Sequence, residues 1–169
     1  MPHPIVLALF DDPSAAAGAA RDLRGLGISQ AHVSIVARTH DEEGTLAQAA
    51  GASPGSEIED SLAASRLGEL SAHLFAAIAL VMPGIGPIVA DGPLAAGLGE
   101  AAGHAAGDIG RTLHRAGLPR DEAERWESRI EDGAILVGAH IDAGEAPAVR
   151  DVMSRTGASW LTEALWKGE

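Results

Sequence analysis

Residues 74–116 read LFAAIALVMPGIGPIVADGPLAAGLGEAAGHAAGDIGRTLHRA, and this stretch decides the fold. It begins with an apolar run, is interrupted by Pro83-Gly84-Ile85-Gly86-Pro87, and continues with small residues and a glycine stripe at Gly99, Gly103 and Gly107. Residues four apart share one face of a helix. Because glycine costs about 1 kcal/mol against alanine in a helix, such a stripe indicates a face that another backbone approaches closely.

The stretch therefore predicts a glycine-zipper helical hairpin, with one helix from Glu57 to Val81 and a second from Pro93 to Ala116. The second helix is expected to carry a homo-oligomer interface of small residues, namely Gly99, Gly103, Gly107, Ala95, Ala102 and Ala106. The apolar run, residues 74–90, contains no charged residue. It is expected to contact a partner or lipid through Leu74, Phe75, Ile78, Val81, Met82, Ile85, Ile88 and Val89.

The length fits one domain, or one domain with an insertion. The chain has 169 residues and is 46% hydrophobic, but alanine supplies much of that fraction, and there are only three Trp, two Phe and no Tyr. Short side chains bury little area each, so part of the apolar surface is expected to be buried between chains.

The net charge of −12 argues against binding to nucleic acid, because no basic cluster is present to meet a phosphate backbone. The absence of cysteine excludes disulfides, thiolate nucleophiles and cysteine-ligated metal sites. The N-terminus lacks the basic region of a secretory signal, so we expect a cytoplasmic protein.

The segments that flank the hairpin predict two strand–helix–strand units. Strands are predicted at 5–10, 33–37, 134–140 and 158–161, and helices at 14–26, 119–133 and 145–156. Ile5-Val6-Leu7 recurs as Ile135-Leu136-Val137, and the same offset relates Gly27 to Gly157. Two β-α-β units predict an α+β, split ferredoxin-like (βαββαβ) domain.

The predicted domain has two halves, residues 1–37 and 134–169. Residues 38–133 form the predicted insertion, which contains a linker, the glycine-zipper hairpin and a following short helix. The ferredoxin-like part is expected to remain folded when residues 57–117 are replaced by a short linker.

Nearly the whole chain resembles the bacterial general stress, or heat-induced stress, protein family. The segments that carry the resemblance are IVLALFDDPSAAAGAARDLRGLGIS, VMPGIGPIVADGPLAAGLGEAAGHAAG, LPRDEAERWESRIEDGAILV and the closing strand and helix. The resemblance implies ferredoxin-like halves with an inserted glycine-zipper hairpin that assembles. It implies no reaction and no catalytic residues.

One constellation could carry chemistry: Glu100, His104 and Asp108 share a helix face at successive i, i+4 spacing. Such a trio could bind a divalent metal or shuttle protons, or it could be a solvated face with local charge pairing, which is the interpretation we favour. No nucleophile–base pairing and no phosphate-binding loop is recognisable, so neither an enzyme nor a cofactor is predicted.

Two functions remain open from the sequence. The first is a non-enzymatic structural protein that oligomerises through its glycine-rich helices. The alternative is a membrane-associated or scaffold subunit of a larger oxidoreductase complex, whose apolar helical bundle anchors it at the inner face of the cell membrane or carries a lipid-like molecule such as a quinone. Glu100, Asp108 and Arg111 would be costly at bilayer depth, which favours the first.

Overall fold

The computed structural model describes residues 2–38, 78–82, 86–94 and 109–167. The strands are β1 (His3–Phe10), β2 (Val33–Arg38), β3 (Ile78–Met82), β4 (Gly86–Asp91), β5 (Ile135–His140) and β6 (Trp160–Trp166). The helices are α1 (Pro13–Gly25), α2 (Ile109–Arg115), α3 (Arg120–Glu131) and α4 (Ala146–Arg155), with 3-10 helices at Gln30–His32 and Ala143–Glu145.

The strands form one six-stranded sheet in the order β3-β4-β2-β5-β1-β6, and every pairing is antiparallel. The predicted α+β class is therefore confirmed. In the middle of the sheet, Leu7 on β1 lies opposite Gly138 on β5 and Thr162 on β6. Gly138 in turn lies opposite Ser34 on β2.

Both faces of β1 are covered, which explains why this strand reads as an unbroken apolar run. Side chains in a strand alternate between the two faces. Val6, Ala8 and Phe10 pack in one core with α1 and α4, whereas Ile5, Leu7 and Leu9 pack in a second core with α2 and α3. All six side chains are fully buried. A strand buried on both faces has no polar positions to alternate with.

Local signals fix the flanking helices where the sequence predicted them. The Asp12 side chain accepts a hydrogen bond from the Ser14 backbone N–H at 3.0 Å, and Pro13 occupies the first turn of α1. This is a standard helix N-cap. Past the end of α1, Gly27 adopts the left-handed conformation at φ +91°.

The predicted helix from Glu57 to Val81 is wrong over its last residues. Ile78–Met82 is a strand, paired with β4 so that Met82 lies opposite Gly86 and Ile78 opposite Ala90. A short charge-free aliphatic run fits a strand or a buried helix equally well, and periodicity cannot decide between them. Pairing with the rest of the sheet selects the strand, because β2 pairs with β4 along the edge that β5 leaves open, and β4 in turn pairs with β3. The first arm of the predicted helical hairpin is thus part of a β-hairpin where the structure describes it.

The predicted insertion also contributes to the core of the domain. Five of its residues are buried in the same cluster as Ile5, Leu7 and Leu9 of β1, namely Ala90, Leu94, Ile109, Leu113 and Ala116. The predicted second helix is observed only in part, since Pro93 and Leu94 are helical and α2 begins at Ile109. In the residues that the structure describes, no helix has the length and apolar character needed to cross a membrane.

Candidate functional site

The predicted oligomer interface lies outside the described residues, as does the candidate metal trio. The positions concerned are Gly99, Gly103, Gly107, Ala95, Ala102 and Ala106 together with Glu100, His104 and Asp108. Of the predicted partner or lipid contacts, Leu74, Phe75 and Ile85 also lie outside, whereas Ile78, Val81, Met82, Ile88 and Val89 lie on β3 and β4. Among the residues that are described, no group of three or more His, Asp or Glu could hold a metal ion.

Immediately before the glycine-rich segment 95–108, the chain is held at a first anchor, formed by Gly92, Leu94 and Ser34. Leu94 is 1% exposed, and its backbone N–H donates to Ser34 Oγ at 3.0 Å. Gly92 has φ +83°, and a Cβ at this position would lie 2.1 Å from the Val33 carbonyl oxygen. Only glycine allows so close an approach, so the chain is held directly against β2 where the segment begins.

Immediately after the segment, the chain is held at a second anchor, formed by Ile109, Gly110 and Glu127. Ile109 is 1% exposed, and the Gly110 N–H donates to Glu127 Oε2 on α3 at 2.6 Å. Glu127 therefore ties the described part of α2 to α3.

Two tryptophans connect α3 to the edge of the sheet. The ring centroids of Trp126 and Trp160 are 6.0 Å apart, and the Arg129 guanidinium lies 5.3 Å above the Trp160 ring while also pairing with Asp11. Trp126 is only 3% exposed, so it serves packing. A groove of about 340 Å³ lies beside the pair and is lined by Glu122, Arg125, Trp126, Trp160 and Leu161.

At the other end of the same face, two histidines and a tryptophan form a cluster. His3 Nε2 and His140 Nδ1 are 2.9 Å apart, so one imidazole donates a hydrogen bond to the other. The Trp166 ring contacts His140 edge to face, with centroids 5.0 Å apart. His140 is 6% exposed, and its Nε2 has no hydrogen-bond partner among the described residues.

This environment keeps His140 neutral. The pKa of His140 is lowered from 6.5 to about 4, mainly by burial and also by the charges of His3 and His32. A charged imidazole here would need a partner for Nε2 that the cluster does not provide.

The low pKa of His140 predicts a loss of stability in mild acid. The unfolded chain takes up a proton near pH 6.5, whereas the native imidazole resists protonation down to about pH 4. We therefore expect the free energy of unfolding to be highest above pH 6.5 and to fall between pH 6.5 and 4, by up to about 3 kcal/mol from this group.

Urea unfolding at several pH values measures this loss. His140→Gln should flatten the dependence over that window, whereas a matched replacement of exposed His114 should keep the wild-type slope. A wild-type slope in His140→Gln would show that other groups cause the acid sensitivity.

Sequence reasoning missed the partners that build these sites. Ser34 and Glu127 belong to no sequence motif, and nothing near His140 in the sequence indicates that its partner is His3. The one local signal of an anchor is the Gly92-Pro93 pair, which follows an apolar run and indicates a turn before a helix.

Comparisons of the chain with protein-family models, curated proteins and solved structures found no match.

Proposed function

We propose that the protein is a non-enzymatic assembly module that presents its glycine-rich segment 95–108 for packing against other copies of the chain. In this proposal the two flanking halves form a ferredoxin-like platform, as in the stress-protein family that the sequence resembles. The order β2-β5-β1-β6 supports it, because the second, third, first and fourth strands of a βαββαβ unit stand side by side in that order. Helices α1 and α4 also share one core on one face.

The observation that carries the proposal is the pair of anchors. Leu94 and Ile109 stand immediately before and after segment 95–108, and both are buried in the core on the α2–α3 face of the sheet. Each anchor also has its own side chain to hold the backbone, Ser34 at the first and Glu127 at the second. A segment fixed at both ends loses less conformational freedom on association than a free one, so its packing against another copy is favoured.

The partner we propose is a second copy of the same chain in the cytoplasm. Glycines at every fourth residue suit close contact between helices, and the matching surface on a copy is supplied by the same residues. The charge of −12 is unfavourable for nucleic acid and for anionic membranes, and an apolar contact within the stripe avoids that repulsion.

Gly103→Leu tests this function directly. A leucine in the middle of the stripe is expected to separate the facing backbones and to convert an oligomer into a monomer, as measured by light scattering, while circular dichroism stays unchanged. Gly144→Leu is the matched control, because a side chain at Gly144 meets no atom within 4 Å. An unchanged molar mass in folded Gly103→Leu would remove the stripe from the interface.

We place the alternative function, a membrane-associated or scaffold subunit that carries a lipid-like molecule, second. It relies on the apolar run 74–90 as a free helical arm, but β4 is paired with β2 on one side and with β3 on the other. Backbone committed to a sheet is not available as a helix that enters lipid. Sedimentation of the protein with membranes after a carbonate wash would favour the alternative.

A further inference from the structure

We propose that the His3–His140 pair is an acid-sensitive contact that holds the C-terminal end of β6 on the sheet and releases it in mild acid. Three strands meet at this contact: His3 comes from β1, His140 from β5 and Trp166 from β6. His3 lies directly opposite Trp166 in the β1–β6 register. The inference is independent of the proposed assembly.

The chemistry of the pair makes it sensitive to protons. A hydrogen bond between two imidazoles needs one protonated and one unprotonated nitrogen at the contact. When both rings are cationic, the two facing nitrogens are both donors, and the contact of 2.9 Å becomes repulsive. His32, from the 3-10 helix before β2, adds a further positive charge that opposes protonation of His140.

Charging His140 in the closed form is costly, and a local opening removes that cost. Its Nε2 is buried, has no hydrogen-bond partner among the described residues, and belongs to a ring against which Trp166 packs. A charged imidazole needs an acceptor for that N–H, and water is the available one. The half-buried Trp166 belongs to β6, an edge strand that pairs only with β1 in the described part of the chain. Displacing the end of β6 therefore breaks fewer backbone hydrogen bonds than displacing β1 or β5 would.

Release of the strand end would also loosen the turn between α2 and α3. A Cβ at Gly117 would lie 2.8 Å from the Leu165 carbonyl oxygen, so the backbone of this turn rests directly on the last residues of β6. The same end of β6 carries Leu165, which is already 49% exposed. Local unfolding of this kind spreads over contiguous contacts and leaves the central strands intact.

Amide hydrogen exchange of the full-length protein at pH 7 and pH 5, corrected for intrinsic exchange, tests the inference. If opening frees His140 to titrate near 6.5 while the closed form titrates near 4, opening at the end of β6 should increase about twentyfold between pH 7 and pH 5. The turn at Gly117 should follow, whereas β2 and α1, which exchange only through global unfolding, should remain far more protected than β6 at both pH values. His140→Gln should abolish the increase, and His114→Gln should retain it.

Three results would overturn the inference. One is unchanged protection of β6 at pH 5, and another is protection of β6 equal to that of β2 and α1, which would mean that β6 exchanges only through global unfolding. The third is a wild-type increase in folded His140→Gln. If His140→Gln does not fold, the wild-type comparison of β6 with β2 still decides, because only a local release separates the two strands.

Discussion

Replacing Gly92 with alanine is expected to destabilise the fold by about 4 kcal/mol, near the upper end for single substitutions. Two penalties add at this position. The φ of +83° disfavours any residue with a Cβ, and that Cβ would lie 2.1 Å from the Val33 carbonyl oxygen and 2.7 Å from the Ser34 Cα. Neither atom can move easily, because β2 is paired with β4 on one side and with β5 on the other. Urea unfolding followed by circular dichroism measures the loss.

Gly27→Ala is the matched control for Gly92→Ala. Gly27 has a similar φ of +91°, but a Cβ there would meet no atom within 4 Å. The conformational penalty alone, about 1–2 kcal/mol, is therefore expected. Equal losses in the two variants would show that the left-handed backbone, and not the contact with β2, sets the cost at Gly92.

Replacing residues 57–117 with a short Gly/Ser linker is expected to abolish cooperative folding, contrary to the expectation from sequence. The deletion removes β3, β4 and α2, and with them the buried side chains of Leu94, Ile109 and Leu113. Burial of each such side chain contributes about 1.5–3 kcal/mol, and the total rivals the net stability of a domain, about 5–15 kcal/mol. A broad thermal transition with binding of a hydrophobic dye is the expected observation.

A smaller replacement distinguishes the role of the folded domain from the role of the glycine-rich segment 95–108. When only residues 95–108 are exchanged for a Gly/Ser linker of equal length, Leu94 and Ile109 remain, so the domain should keep its fold and lose its self-association. If this variant unfolds as fully as the larger deletion, the glycine-rich segment is part of the core and not an element presented for assembly.

Elements with local signals could be predicted from the sequence. Helix α1 has Asp12 and Pro13 at its start and Gly27 after its end, and α4 ends before Gly157 in the same way. Strands β1 and β5 stood out because both faces of each are buried, which leaves a short apolar run between polar turns. Each of these features lies within a few residues of the element it defines.

Features set by long-range pairing could not be predicted. Whether Ile78–Met82 forms a helix or a strand depends on the free edge of β2, a distant segment that supplies the partner for β4. The contact between His3 and His140 joins residues 137 positions apart and depends on the register of β1 against β5. A change of register by one residue would place His140 on the opposite face of the sheet.

The position of β1 has a consequence for biosynthesis. It leaves the ribosome before both of its neighbours, because β5 and β6 come from residues after Ala134. Until β5 has been translated, the apolar residues 5–10 have neither hydrogen-bonding partner. Nascent chains with unpaired apolar strands are prone to aggregate, and such distant pairings form slowly. The centre of the sheet can form only after β5 has been synthesised, and we expect β1 to need shielding from other chains until then.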